Sequence, residues 1–476
     1  MGRHRSWWGW GYEEDALDAA EATRLGALLG PAFGLEAVPR RPPAVETLAM
    51  APPRLVPPAS LAAICSSTPA ERASHAYGKA YRDVVRALAG RVDHPPDVVA
   101  RPRDECDVAA VLAWCGEAGA AVIPYGGGSS VVGGVEPDVG DAYAGAVTVD
   151  MGTMGAVLEV DAVSGAARIQ AGALGPALED RLRPHGLTLR HFPQSFECST
   201  LGGWIATRAG GHFATGPTHI DDLVESVRVV TPAGILATRR LPASGAGPSP
   251  DRLLLGSEGA LGVITEAWVR VRPRPVWRAG GSARFASLSA GAAAVRALAQ
   301  SGLAPSNCRL IDPVEAVVNG AGDGSAAVLI VGFESAHHPV GSWAELAATC
   351  VRDLGGTTSE DWGAGARDAS GALTGSANAW RRSFLRAPYV RDALVTLGAM
   401  VETFETAVTW DRFDELHDTV TAAVGAALEA QGAAGGFVTC RLTHAYPDGA
   451  APYFTVIAPA RRGVHATPFV RSRITT

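Results

Sequence analysis

Lysine is almost absent from this chain of 476 residues, since Lys79 is the single lysine and arginine carries nearly all the positive charge. Charged residues make up 19% of the chain, and 48 acidic residues against 41 basic ones give a net charge of −7. A chain without a basic surplus is not built to coat the phosphates of a nucleic acid or an anionic membrane surface. We therefore expect no nucleic-acid partner.

Cysteine pairs and long apolar runs are also missing. None of the seven cysteines stands in a Cys-x-x-Cys pair, which argues against a zinc ribbon or a thioredoxin-type site, and we expect no metal. Scattered cysteines in an odd number indicate reduced thiols and a cytoplasmic location. Residues 1–12 lack the apolar core of a signal peptide, and no apolar run of about 18 residues predicts a transmembrane helix.

Length and glycine are what the sequence has in quantity. The chain is about three times a typical domain of ~150 residues, and its 56 glycines exceed the usual share of about 7%. Predicted helices and strands follow one another in a mixed order rather than as repeated βαβ units, which indicates an α+β fold. We expect a helical and extended segment at residues 1–93, a domain at 94–275 and a second domain at 276–476.

Two local signals make specific structural predictions. Asp104 stands before an apolar stripe at helical spacing and Gly119 follows it, so a capped helix is predicted between them. A second helix is predicted as one continuous element over residues 69–88. The Gly/Ser/Ala-rich stretch 355–378 is interpreted as a loop.

A loop rich in glycine and serine follows the predicted strand at 120–124. Its residues run Pro124-Tyr125-Gly126-Gly127-Gly128-Ser129-Ser130. Three glycines let the backbone approach a ligand closely, and successive free N–H groups form a nest for phosphate oxygens. The pattern fits neither Gly-x-Gly-x-x-Gly opening a helix nor a lysine-containing phosphate loop. Taken alone, it is equally compatible with a plain turn in a glycine-rich protein.

Two further segments carry hydroxyls and glycines. Residues 191–203 include the run Ser199-Thr200-Leu201-Gly202-Gly203, and residues 256–265 include Gly256, Gly259 and Gly262 at a spacing of three before a strand. Each segment alone is compatible with an ordinary loop. The order and spacing of all three segments over residues 94–275 resemble the FAD-binding domain of the vanillyl-alcohol oxidase family, also called the PCMH type.

Further motifs along the chain narrow the resemblance to the alkyldihydroxyacetonephosphate synthase family and its bacterial relatives. It runs from residue 8 to about residue 462. The motifs that carry it are Trp8-Gly9-Trp10-Gly11-Tyr12, Arg91-Val92-Asp93, residues 199–209, Cys308-Arg309-Leu310, residues 388–392, residues 405–412, residues 439–443 and Tyr453-Phe454.

The resemblance implies a PCMH-type FAD-binding domain of two subdomains and a substrate cap domain of antiparallel sheet plus helices. FAD would be bound noncovalently. The residues that would contact it are Pro124, Tyr125, Gly126, Gly127, Gly128, Ser129 and Ser130 in the first segment, Gln194, Ser195, Ser199, Thr200, Gly202, Gly203, Thr207, Arg208, Ala209 and Gly210 in the second, and Glu258, Gly259, Gly262, Val263 and Ile264 in the third.

The reaction implied by the resemblance exchanges the acyl chain of acyl-dihydroxyacetone phosphate for a fatty alcohol, without net redox change. Tyr453 would assist proton transfer, and His191 and Thr200 would lie near the flavin and substrate. Arg391 is expected to take part in catalysis and, with Arg309 and Arg441, to bind anionic or carbonyl oxygens, because a guanidinium is a rigid fork suited to phosphate and carboxylate. The resemblance also leaves open a homodimer and a peripheral membrane contact.

After Gly463 the sequence departs from the family's pattern. The family continues with a helix, a loop with consecutive histidines and a terminal segment, whereas residues 464–476 match none of these. We interpret this as a truncation and expect it to weaken catalysis and FAD retention. Two alternative functions stay open: an FAD-linked oxidoreductase acting on a 2-hydroxy acid or related small alcohol, and a truncated, catalytically impaired FAD-binding protein.

Overall fold

A computed structural model describes residues 3–33, 38–211, 219–243, 245–363, 375–433 and 435–460. The terminal stretch 464–476 and residues 364–374 of the predicted loop lie outside this part of the chain. The chain divides into two compact units. Unit 1 lies within Met1–Ala16, Arg40–Gly210 and His219–Pro273, and unit 2 within Leu17–Pro39, Gly211–Thr218 and Arg274–Thr476.

Helices occur in both units. In chain order, the α-helices of the described residues are α1 (Ala19–Phe33), α2 (Pro69–Ser74), α3 (Tyr81–Leu88), α4 (Glu105–Ala118), α5 (Gly175–Leu182), α6 (Leu201–Thr207), α7 (Ile220–Leu223), α8 (Pro250–Leu254), α9 (Leu288–Gln300), α10 (Pro313–Val318), α11 (Gly341–Asp353), α12 (Gly375–Thr396) and α13 (Phe413–Ala430). Short 3₁₀ turns lie at Glu13–Asp15, Val45–Thr47, Ala59–Leu61, Gly140–Ala142, Met151–Thr153, Arg183–His185 and Trp410–Arg412.

Strands form separate sheets in the two units. In chain order they are β1 (Cys65–Ser66), β2 (Val98–Ala100), β3 (Ala121–Tyr125), β4 (Ala146–Asp150), β5 (Val157–Asp161), β6 (Ala166–Gln170), β7 (Leu187–Thr188), β8 (Val224–Thr231), β9 (Gly234–Ala237), β10 (Val263–Arg270), β11 (Arg272–Pro273), β12 (Trp277–Phe285), β13 (Asn307–Ile311), β14 (Ala327–Ser335), β15 (Thr357–Thr358), β16 (Ala399–Glu405), β17 (Val408–Thr409), β18 (Phe437–Ala445) and β19 (Gly449–Pro459).

The first sheet of unit 1 has four strands in the order β1-β2-β4-β3, with β2, β4 and β3 parallel. The predicted helix at 104–119 is confirmed as α4. The Asp104 carboxylate accepts a hydrogen bond from the Asp107 N–H, and Gly119 ends the helix with φ 62°. Apolar residues of α4 pack with β2 and β4 in one core. This sheet ends at Tyr125, where the glycine loop begins.

The second sheet of unit 1 is antiparallel, in the order β5-β6-β10-β8-β9. Its central strand β10 follows the third glycine segment and supplies apolar residues to two cores. Val263 packs in the core of the first sheet, and Ile264 packs in the core that contains α5 and α6. The mixed parallel and antiparallel strands confirm the α+β prediction.

The prediction of one helix over residues 69–88 is wrong. Two helices, α2 and α3, are separated by an extended stretch that touches the glycine loop. The Lys79 N–H donates to the Ser130 carbonyl at 2.6 Å, and a Cβ on Gly78 would lie 2.2 Å from that oxygen. A continuous helix would have satisfied the Lys79 N–H internally, so a tertiary contact with the loop overrides the local helical preference.

Unit 2 is built on one antiparallel sheet of eight strands, in the order β15-β12-β14-β13-β18-β19-β16, with β17 paired to β19. Helices cover both faces. Apolar residues of α9 and α11 pack with one set of alternating strand residues, and α10 and α12 pack with the other set. None of the described helices combines the length and apolar character needed to cross a membrane.

Asp97 anchors the extended segment before the first sheet. Its side chain is 2% exposed and accepts hydrogen bonds from the Arg54 N–H, the Arg54 guanidinium and the Ala146 N–H. Burial alone would raise the pKa of Asp97, but the hydrogen bonds from Arg54 and Ala146 lower it below its ordinary value. The ionised carboxylate is therefore the form that stabilises the fold.

We predict that Asp97→Ala lowers the free energy of unfolding by about 2 kcal/mol at neutral pH, because buried N–H groups lose a charged acceptor. Because the folded pKa is depressed, this stabilisation is present above the unfolded pKa of about 4 and is lost as pH falls through the folded pKa. Urea unfolding of both proteins at neutral and acidic pH measures the difference. Asp180→Ala, at a carboxylate 71% exposed, is the matched control; equal losses in the two variants would contradict the prediction.

Candidate active site

The glycine loop, residues 126–130, follows β3 and lies against the second glycine segment. A Cβ on Gly126 would lie 2.2 Å from the Thr200 Oγ1, and one on Gly127 would lie 1.9 Å from the Cys198 carbonyl oxygen. These two glycines are therefore required by a close approach between two protein loops. The sequence predicts that these glycines let a ligand approach the backbone, but Gly126 and Gly127 also let two protein loops approach each other.

Tyr125 supports the loop from inside unit 1. Its hydroxyl donates to the Ser74 carbonyl at 3.2 Å, and its ring contacts His75 with centroids 4.5 Å apart. Gly128 has φ 64°, and a Cβ there would lie 1.8 Å from the Tyr125 hydroxyl. Burial raises the pKa of Tyr125 to about 12, so this side chain stays neutral and its role is packing.

The loop has hydrogen-bond donors to offer. Within the described residues, the backbone N–H groups of Gly127, Gly128, Ser129 and Ser130 donate to no other protein group, whereas the Gly127 and Ser130 carbonyls both accept hydrogen bonds. Adjacent N–H groups of this kind form a concavity suited to an anion. This donor set fits the pyrophosphate of FAD.

The second segment is arranged by a buried carboxylate and by its own hydroxyls. Glu179 on α5 accepts from the Thr188 hydroxyl and from the Leu189 and Arg190 N–H groups, and Arg190 adopts φ 61°. This backbone geometry fixes the direction of the chain at the next residue, His191. The His191 side chain is buried, with the residue 1% exposed, and its ring contacts the Trp204 ring with centroids 5.0 Å apart.

Several predicted cofactor residues of this segment hold one another in place. The Ser195 hydroxyl donates to Ser199, the Ser199 hydroxyl donates to the Ser195 carbonyl, and the Trp204 indole donates to the Ser199 hydroxyl at 2.6 Å. Thr200 caps α6 by accepting from the Gly203 N–H, and Gly202 lies against Ala171. Gln194 is half-buried beside them.

The end of α6 joins the second segment to the third. Arg208 closes α6 with φ 53° and pairs with Asp221, a carboxylate that also pairs with Arg252. A Cβ on Gly256 would lie 2.6 Å from the Arg208 side chain. The other predicted residues here form contacts within the protein. The Thr207 hydroxyl donates to the Gly203 carbonyl, the Ala209 carbonyl accepts from the Ile220 N–H, and Gly210 forms a β-bridge with His219.

The third segment closes on the first. A Cβ on Gly259 would lie 2.9 Å from the Pro124 ring, and Glu258 adopts φ 52° with its N–H donating to the Ala206 carbonyl. Burial raises the pKa of Glu258. Gly262 has φ 139° and approaches the Val230 carbonyl. The structure therefore brings all three glycine segments together, while the side chains of Val263 and Ile264 are taken up by hydrophobic cores.

In unit 2, strand alternation gathers three predicted residues on one face of the sheet. Cys308, Cys440 and Phe454 pack in the core formed with α9 and α11. Their strand neighbours Arg309, Arg441 and Tyr453 therefore point to the opposite face, because successive side chains alternate. The register of the strands also brings these residues close together. Arg441 on β18 lies opposite Ile311 on β13 and opposite Tyr453 on β19.

The resulting cluster contains two buried guanidinium groups and one buried carboxylate that the sequence did not predict. Arg441 donates to Glu315 on α10 at 2.7 Å and lies over the Tyr453 ring, 3.9 Å from its centroid. Arg309, 1% exposed, lies over the Phe384 ring at 5.1 Å. Glu315 could not be predicted because one buried carboxylate on a six-residue helix has no sequence signature.

Burial and acidic neighbours shift the pKa values of these guanidinium groups in opposite directions. Burial, together with the charge of the neighbouring Arg441, lowers the pKa of Arg309 to about 9 although Glu315 acts to raise it. Burial also lowers the pKa of Arg441, but Glu315, Tyr453 and Glu405 together raise it above its ordinary value. Glu315 is the carboxylate hydrogen-bonded to Arg441, and Glu405 is a second carboxylate whose charge raises the pKa of Arg441.

Two further charged residues of unit 2, Asp312 and Arg391, each contact a neighbouring group. Asp312 caps α10 by accepting from the Glu315 N–H and also accepts from the Cys440 N–H; burial raises its pKa to about 6. Arg391 on α12 pairs with the adjacent Asp392 at 2.7 Å. No group of three or more metal-ligating side chains is found among the described residues.

Each of the two units contains a segment that matches a known protein family. Residues 96–239 match the FAD binding domain family, and residues 274–467 match the family described as FAD linked oxidases, C-terminal domain. A solved structure of an alkyldihydroxyacetonephosphate synthase is similar to this chain with a TM-score of 0.83 at 26% identity, covering 96% of this chain and 89% of that one. The similarity confirms the predicted PCMH-type fold.

Two curated relatives give the extent of the sequence similarity. The alkyldihydroxyacetonephosphate synthase of Trypanosoma brucei brucei is 30% identical over 421 residues, which cover 81% of this chain and 65% of that protein. The synthase of Caenorhabditis elegans is 31% identical over 402 residues, which cover 80% of this chain and 67% of that protein. The chain thus spans about two thirds of the length of these relatives.

We predict that Gly127→Ala lowers the affinity for FAD at least 100-fold, because the new Cβ collides with the Cys198 carbonyl and displaces the loop. Flavin absorbance retained per polypeptide after gel filtration measures this. Gly116→Ala is the control, since nothing lies within 4 Å of that position on α4 and alanine favours the helix. FAD retention by Gly127→Ala equal to that of the control would contradict the prediction.

We predict that Glu315→Gln lowers the free energy of unfolding by about 3 kcal/mol, because it leaves Arg441 and Arg309 buried without their carboxylate. Chemical denaturation measures the loss. Glu415→Gln removes a carboxylate 65% exposed from a surface pair with Arg412 and serves as the control. If the cluster binds anions, added phosphate or sulfate is expected to restore part of the stability of Glu315→Gln and to leave Glu415→Gln unchanged. Equal losses of stability in the two variants would contradict the prediction.

Proposed function

Since the chain belongs to the alkyldihydroxyacetonephosphate synthase family, we propose that it exchanges the acyl chain of acyl-dihydroxyacetone phosphate for a fatty alcohol. The observation that carries the proposal is the cluster of Arg309, Arg441, Glu315 and Tyr453 on one face of the unit 2 sheet. Guanidinium groups are suited to hold the oxygens of an anionic substrate, and a phenol beside them supplies a group that can move a proton.

FAD is the cofactor of this family, and we propose that unit 1 binds it through the glycine loop and the two segments packed on that loop. When bound, FAD supplies the reactive flavin ring at which the exchange takes place without net redox change. The N–H groups of residues 127–130 would donate to its pyrophosphate. We assign His191 and Thr200 to the neighbourhood of the flavin ring, as the resemblance implies.

In unit 2, we assign the substrate's anionic groups to arginine. Arg309 and Arg441 would hold oxygens of the phosphate or of the leaving carboxylate, because a guanidinium offers paired donors in a fixed plane. Arg391 is a third candidate, although its contact with Asp392 satisfies part of its charge. The Tyr453 hydroxyl would accept and return the proton that moves during the exchange.

We also propose that the protein works in the cytoplasm, which is supported by seven free cysteines. The lipid nature of the substrate supports a peripheral contact with a membrane, and the family resemblance supports a homodimer. Sedimentation of the purified protein, alone and with lipid vesicles, tests both.

The test of function is to incubate the FAD-loaded chain with acyl-dihydroxyacetone phosphate and labelled hexadecanol. We expect an ether-linked product and one free fatty acid per turnover. Tyr453→Phe is expected to lower the rate about 100-fold while FAD stays bound, because general acid–base catalysis contributes about that much or more. Tyr143→Phe, at a side chain 48% exposed in unit 1, is the control.

Two outcomes would contradict this proposal. Bleaching of the flavin by a 2-hydroxy acid such as D-lactate, with no ether product, would favour the oxidoreductase. FAD binding without either reaction would favour the catalytically impaired protein.

A further inference from the structure

The loop Arg3–Asp15, here called the N-terminal loop, lies in unit 1 and reaches the glycine loop. It is closed on itself: Arg5 bridges Tyr12, the Ser6 N–H donates to the Gly11 carbonyl, and the Gly9 N–H donates to the Ser6 hydroxyl. Gly11 adopts φ 56° in the turn. Arg5 is thereby presented from a small structured loop.

The Arg5 guanidinium joins two of the three glycine segments. Its Nη2 donates to the Gly127 carbonyl and, at 2.9 Å, to the Cys198 carbonyl. Within the described residues Arg5 forms no ion pair with a carboxylate; its guanidinium is held by these two main-chain oxygens and lies 5.9 Å from the centroid of the Tyr12 ring. The carbonyls come from the two backbones whose close approach requires glycine at position 127.

A peptide unit between two glycines has an unusual freedom. The C=O of Gly127 and the N–H of Gly128 belong to one planar trans peptide and point in opposite directions. With no Cβ on either side, the dihedral angles that orient this unit are less restricted by the chain itself than at other residues. Fixing the Gly127 oxygen on Arg5 therefore fixes the Gly128 N–H on the other side, where the loop presents its free donors.

A second contact acts on the same loop in the same way. The Lys79 N–H holds the Ser130 carbonyl, and the Lys79 ammonium group lies 3.4 Å from the Ser6 carbonyl and 3.3 Å from the Trp7 carbonyl. Lys79 is 7% exposed. The extended stretch between α2 and α3 thus ties the N-terminal loop and the glycine loop together.

We propose that Arg5 is a positioning residue for FAD: by holding the Gly127 and Cys198 carbonyls, it keeps the N–H groups of the glycine loop directed at the pyrophosphate. The proposal rests on FAD as the cofactor. It assigns to the N-terminal loop a role in cofactor retention that the glycine segments alone do not reveal. Arg5 need not touch the cofactor for this role.

The test compares the FAD dissociation constants of the unmodified chain, Arg5→Ala, Arg5→Lys and Arg3→Ala, measured by flavin fluorescence with the apoprotein. Arg3 is the matched control, because it belongs to the same loop but contacts Tyr12 and Asp15 instead of the glycine loop. We expect Arg5→Ala to weaken FAD binding at least tenfold and Arg3→Ala to change it less than twofold. Arg5→Lys, which can hold one of the carbonyls, should recover part of the loss.

The melting temperature of each apoprotein separates positioning from folding. A loss of affinity by Arg5→Ala at an unchanged melting temperature, with partial recovery by Arg5→Lys, supports the proposal. Equal affinities of Arg5→Ala and the unmodified chain overturn it, and so do equal losses in Arg3→Ala and Arg5→Ala. If Arg5→Ala fails to fold, Arg5→Lys decides by the same comparison. Absence of FAD binding by the unmodified chain overturns the cofactor assignment together with this proposal.

Discussion

Unit 1 depends on a contact between two backbones, in which Gly127 lies against the carbonyl of Cys198. No side chain fits between them. The contact brings two loops together with their carbonyl groups turned toward protein donors, so that the N–H groups are left for a ligand. Tyr125 fills the space on the inner side, and the third segment closes over Pro124. Glycine serves here as much to pack protein on protein as to admit a cofactor.

The sequence was most informative where one residue determines local geometry. The helix α4 was predicted from Asp104 and Gly119, because a cap and a stop are local signals. Three glycine segments could be ordered along the chain, although their mutual contacts could not be predicted. The helix over 69–88 was predicted wrongly, because the Lys79 N–H binds a carbonyl 51 residues away in the chain. The strand β12 went unpredicted, since Gly280 and Gly281 interrupt its apolar pattern.

The candidate site in unit 2 shows a different limit. Arg309, Arg441 and Tyr453 were selected by resemblance, and the alternation of strand residues explains why they share a face. Glu315 was missed because its role appears only when α10 packs beside β18. A buried pair of this kind gains little net stability over an apolar pair, since desolvation offsets much of the attraction.

The single lysine gives the chain a chemical property that follows from its location. An amine-reactive reagent finds one lysine side chain in this protein, and the folded structure leaves only 7% of Lys79 exposed, with its ammonium group directed at the Ser6 and Trp7 carbonyls. Acylation of that amine therefore requires the N-terminal loop to lift away first. The rate at which Lys79 is labelled therefore measures how often the N-terminal loop moves away from the glycine loop, and no engineered probe is needed.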